Sequence, residues 1–135
     1  MPRTARTLLG EVIKQNPQEA QWYSTLAQVH SIEGDTEAAL ADCNRAVEVA
    51  PTHPGSFEGR AAIHILRGDL DKALADLTEA IRLAPFNTDY YLARGNVCQR
   101  IGKTEEAEAD FARARGAGAL TTGGPLDPNG WRARH

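Results

Sequence analysis

His30, His64 and Cys98 recur at a spacing of 34 residues, and a row of nitrogen and sulfur ligands is raw material for a metal site. Zinc, however, needs its ligand atoms about 2.0–2.3 Å from the ion. Helix axes pack about 8–10 Å apart, so equivalent positions in stacked units stand too far apart to share one ion. Packing is the reading that geometry favours. His53 falls in a turn and His135 ends the sequence, neither beside a second ligand. Ser24, Ser31 and Ser56 lack the G-x-S-x-G setting that makes a serine nucleophilic. The glycines between Gly116 and Gly124 lack the lysine of a phosphate-binding loop, and no strand precedes them. Asp42, Asp76 and Asp110, again 34 apart, are expected on wet outer helix faces, with Asp42–Arg45 and Asp110–Arg113 as weak surface pairs. Arg60 and Arg94 could take an anion, but their offset points between helices. Their stems are expected to pack while the guanidinium reaches water or a carbonyl. No catalytic residue, metal ligand or cofactor is assigned, and the expectation is that the chain is not an enzyme.

The elements that carry these residues follow from the same period. The blocks Glu33 to Pro51, Arg67 to Pro85 and Ile101 to Ala119 align without a gap. Gly34, Gly68 and Gly102 fall in register, as do Ala39, Ala73 and Ala107, and then Ala46, Ala80 and Ala114. A period of this length marks a solenoid, whose units bury their apolar faces by stacking on neighbours. Within each unit, apolar residues at helical spacing run to the glycine, as in Tyr23, Leu26, Ala27 and Ile32. A second helix follows, buried along Ala39, Leu40, Cys43, Ala46 and Val47 in the first unit and along Ala73, Leu74, Leu77, Ala80 and Ile81 in the next. Asp35 is the expected cap of one such helix and Thr104 of another, and Pro51 and Pro85 end their units. Ala5, Leu9, Val12 and Pro17 hold the same offsets as a lone second helix.

Composition agrees with packed helices. Of 135 residues, 41% are hydrophobic and only 6% aromatic, where a sheet would favour β-branched and aromatic types. A single domain of this size buries roughly 68% of its unfolded surface. A net charge of −3 sets up no field that draws nucleic acid or an anionic membrane, and no apolar run approaches the roughly 20 residues that span a bilayer. The expected setting is soluble and cytoplasmic. Cys43 and Cys98, in non-adjacent units, are expected as unbridged core residues.

Taken together, the aromatic at Tyr23, Phe57 and Tyr91, the small residue at Ala27, Ala61 and Gly95, the glycine turn, the alanines and the prolines make the chain similar to the tetratricopeptide repeat family. It departs from that pattern at Arg60 and Arg94, where leucine is usual, and at His30, His64 and Cys98, where tyrosine is usual. The resemblance implies an all-α, right-handed superhelical solenoid of antiparallel helix pairs. Its expected parts are a capping half-repeat over 1–17, three repeats over 18–119 and a Gly/Pro-rich tail over 120–135.

The family's geometry further implies a concave groove lined by Gln21, Ser24, Gln28 and Ser31, then Gly55, Glu58, Ala62 and Ile65, then Asp89, Leu92, Asn96 and Gln99. Members that hold acidic chaperone tails use basic clamp residues, and the matching positions here are Ser24, Gln28, Gly59, Asp89 and Ala93. Glu58 and Asp89 would repel such a tail, so the implied partner is a neutral or mildly basic extended segment. The alternative is self-assembly through the last repeat or through Leu126 and Trp131, on a tail with too much glycine and proline to fold alone.

Overall fold

A computed structural model describes residues 4–116. The expectations for the tail, including Leu126 and Trp131, lie outside the described residues. Seven helices follow one another: α1 (Ala5–Gln15), α2 (Ala20–Ile32), α3 (Thr36–Val49), α4 (Pro54–Arg67), α5 (Leu70–Leu83), α6 (Thr88–Arg100) and α7 (Thr104–Ala114). Among the described residues there is no strand. Packing is most extensive within the pairs α2–α3, α4–α5 and α6–α7, next between successive pairs, and α1 lies on α2. The architecture is an all-α helical-repeat solenoid.

One turn is built three times. Gly34, Gly68 and Gly102 have φ of 86°, 80° and 84°, a left-handed backbone that only glycine adopts without cost. The next residue then turns its N–H back to the preceding helix: Asp35 to His30 O at 2.9 Å, Asp69 to His64 O at 2.8 Å and Lys103 to Cys98 O at 2.8 Å. That geometry makes the residue after glycine the cap of the following helix. Asp35 fills the role, its carboxylate accepting from the Ala38 N–H at 3.0 Å. In the third repeat the cap position falls to Lys103, and Thr104 is already the first helical residue, so Thr104 is not the cap expected from sequence.

Core positions sixteen residues apart meet across each pair, and their sizes compensate. Ala27 packs with Cys43 and Ala61 with Leu77, while Gly95 lies against Phe111. A Cβ at Gly95 would stand 2.7 Å from Phe111 Cε1, so the large ring is accommodated by the missing side chain. Both cysteines are free and buried, and burial pushes each thiol up to about 11.

The same offset of sixteen overturns the expectation of solvated aspartates. Arg94, fully buried, donates to Asp110 through Nε at 2.9 Å and Nη2 at 2.8 Å, and Asp110 is 1% exposed. Arg60 grips Asp76 in the same way, at 2.9 and 2.7 Å. These guanidiniums reach a carboxylate, not water or a carbonyl. Such a forked pair satisfies both charges out of water, which a lone ion could not do. Asp42 has no arginine; its Oδ2 is hydrogen-bonded to His30 Nδ1 at 2.6 Å, and Arg45 turns to Glu48 at 3.1 Å in place of the expected Asp42.

Candidate functional site

A cleft of about 360 Å³ opens between α2 and α4. It forms because successive pairs touch chiefly through α3 and α4, leaving the first helices of neighbouring repeats to diverge. Small residues let it open: Gly55, Gly59 and Ala62 on α4 leave room that Ser24, Gln28 and Ser31 edge from α2. Its floor reaches the core at Ala27, Cys43 and Ile63. At one end stand Ile32 and Leu66, which are 86% and 61% exposed. They occupy equivalent repeat positions, 34 residues apart, next to the glycine turns.

Of the residues expected on a concave face, Ser24, Gln28, Ser31, Gly55, Glu58 and Ala62 line this cleft together. Gln21 is exposed beyond it and donates to Glu19 Oε2 at 3.1 Å. Ile65, expected beside Ala62, turns toward the next repeat and packs half-buried against Ala61, Leu77 and Val97. Asp89, Leu92, Asn96 and Gln99 are exposed on α6 and contribute nothing to the α2–α4 cleft. Ile32 and Leu66 were not singled out as groove residues. Their signal was available: an apolar residue two positions before each of the first two turn glycines, Gly34 and Gly68.

The electrostatics of the cleft are set by Glu58. Its carboxyl is pushed above the usual carboxylate range, first by desolvation and then by repulsion from Asp89. The Tyr90 phenol is also raised, by burial first and then by the charges of Glu58 and Asp89. Among the described residues neither carboxylate forms an ion pair. Arg60, two residues from Glu58, is occupied by Asp76 and by Asn44 Oδ1 at 3.2 Å.

Among the described residues no three His, Cys, Asp or Glu side chains gather as metal ligands. His64 lies instead behind the cleft, with Nε2 3.5 Å from Asp76 Oδ2 and a buried Nδ1 that has no hydrogen-bond partner. No described helix is long and apolar enough to cross a membrane.

The family model described as tetratricopeptide repeat matches residues 2–54 and 63–121. Among solved structures, the second repeat domain of Spaghetti (RPAP3), bound to the HSP90 peptide SRMEEVD, is 25% identical over 75% of this chain and 94% of its own, with a TM-score of 0.69. MamA from Desulfovibrio magneticus RS-1 is 18% identical over 87% of this chain and 67% of its own, with a TM-score of 0.75. YrrB, described as having an unusual peptide-binding site, is 22% identical over 82% of this chain and 57% of its own, with a TM-score of 0.73. No curated protein sequence matches significantly. With its period, its helix pairs and its glycine turns matching that model over most of its length, the chain belongs to the tetratricopeptide repeat family.

Proposed function

We propose that the cleft between α2 and α4 receives an extended segment of a partner protein and that the chain serves as a non-catalytic, cytoplasmic adaptor. The observation that carries this reading is the composition of the cleft. Hydroxyl and amide groups from Ser24, Gln28 and Ser31 face a wall of small residues, with exposed Ile32 and Leu66 at one end. Amides and hydroxyls can satisfy the backbone of an extended segment, while the exposed aliphatic pair gains from covering an apolar side chain. A repeat protein of similar fold is seen with a peptide bound, which supports a segment as the kind of occupant. That peptide is acidic, whereas this cleft presents Glu58, and like charges across an interface cost affinity. A neutral or mildly basic segment suits it better.

A photo-crosslinking amino acid placed at Ala62 in the full chain should capture a partner in an extract of the source cells, and one placed at Glu108, exposed on α7, should not. Equal capture at both positions, or capture at Glu108 alone, removes the cleft from the account. A crosslink at Ala62 to a second copy of the chain would turn the reading to self-assembly.

A further inference from the structure

We infer that, given the cleft reading above, the partner segment carries a lysine or arginine that pairs with Glu58, three or four residues from an apolar side chain seated on Ile32 and Leu66. Two features, separate in the structure, fix the two ends of this pattern. At one end the aliphatic pair is exposed beside the turns. At the other, Glu58 lines the cleft without a cation from the described residues, the nearby arginine is committed to Asp76, and the charge of Asp89 on α6 acts on Glu58.

A cation at Glu58 is attracted by its carboxylate, and the negative charge of Asp89 adds to the attraction. The spacing comes from the helix. Glu58 and Leu66 are two turns apart on α4, or about 12 Å at a rise of about 1.5 Å per residue. An extended segment covers that length in roughly three to four residues at about 3.3 Å each.

The test is selection of a random octapeptide phage library on the immobilised full chain, on Glu58→Gln/Asp89→Asn, and on Arg132→Ser/Arg134→Ser, each confirmed as folded by its helical circular dichroism melt. The wild type should enrich peptides with Lys or Arg three or four residues from an apolar residue, about fivefold to tenfold over Asp or Glu at that place. The Glu58→Gln/Asp89→Asn chain should keep the apolar residue and lose the basic preference. Enrichment of apolar residues without a basic one, or a preference unchanged by the double substitution, overturns the inference and leaves the cleft reading standing. No enrichment on any folded chain overturns both. Enrichment only after Arg132→Ser/Arg134→Ser assigns the cleft to the chain's own basic segment and overturns an outside partner.

Discussion

In the first repeat, Asp42 is hydrogen-bonded to His30 and Leu26 stands where the later repeats carry arginine. In the second and third, Arg60 and Arg94 fork onto Asp76 and Asp110, and each sends a further donor back to the preceding repeat, to Asn44 at 3.2 Å and Thr78 at 3.4 Å. One side chain thereby joins the two helices of its own pair to the second helix of the pair before. The first repeat has no such neighbour to reach. The position equivalent to Asn44 and Thr78 is Gly10 on α1, which offers no side-chain acceptor, and leucine packs there instead. Cations also cover the aromatic rings unequally: among the described residues one cation, Arg45, lies over Tyr23, at 5.7 Å, while Tyr91 has Arg94 at 5.8 Å and Arg113 at 5.6 Å. The cleft thus has one wall, α4, tied by an arginine staple, and one, α2, without such a staple, held by His30 on Asp42, by Arg45 over Tyr23 and by the Tyr23 hydroxyl on Pro17 O at 3.0 Å. Binding surfaces are commonly drawn from the less stable elements of a fold, and here the wall without an arginine staple supplies the hydroxyls and amides.

The comparison breaks most sharply at Arg94. Arg94→Ala strands a buried Asp110 and should cost about 3–5 kcal/mol in chemical denaturation. Replacing both partners with leucine should recover much of that loss, because the uncompensated charge goes too. Loss of less than about 1 kcal/mol on Arg94→Ala would mean that the pair is no more than a surface contact. Next, Gly95→Ala should cost about 1–3 kcal/mol by pressing on Phe111, and Gly95→Leu at least as much. An unchanged melting temperature would show that the ring moves freely.

Smaller effects sharpen the contrast. Tyr91→Phe removes the hydroxyl that donates to Pro85 O at 2.8 Å and should cost about 1 kcal/mol. Phe57 already lacks such a bond, so Phe57→Tyr should be neutral or slightly stabilising in the same melts. In the first repeat, Asp42→Asn should cost only about 0.5–1 kcal/mol. Desolvation raises the Asp42 carboxyl above 3.8 despite its bond to His30, so its charge is only partly compensated and a neutral amide loses little. A loss as large as that of Arg94→Ala would erase the difference between the repeats.

The pH response is the finest test. Burial, ahead of every other cause, lowers His64 below its ordinary 6.5, with Arg60 and Lys72 acting in the same direction and Asp76 and Asp69 opposing. The folded state then binds fewer protons than the unfolded chain. This contribution is present above pH about 6.5 and is lost as pH falls through the folded value. His64→Gln should flatten the fall in stability below pH 6.5 seen in the parent chain; an identical slope in both would clear His64 of that role. Asp42 has the opposite sign, its raised carboxyl favouring the folded state as pH drops toward 3.8.

The period alone made the helix pairs, the glycine turns and the small residues at Ala27, Ala61 and Gly95 legible, because each is a backbone or close-packing requirement repeated every 34 residues. Arg60 and Arg94 stood out as departures, yet their partners stayed hidden: Asp76 and Asp110 read as wet carboxylates when each helix is judged by itself. The pairing lies in the offset of sixteen between helices, the same offset that matches Ala61 to Leu77. Ile32 looked like a core residue for a related reason. Helical spacing shows which face a residue shares, and only the neighbouring helix decides whether that face is covered.

The cleft has one wall stapled by an arginine and one without that staple. Native-state hydrogen exchange of the full chain, read helix by helix with and without the selected octapeptide, tests this most directly. The expected result is slowest exchange in α4 to α7 for the free chain, faster exchange in α1 to α3, and a gain in protection on binding that is largest in α2. Uniform exchange across the repeats, or a gain centred on α7, would contradict it.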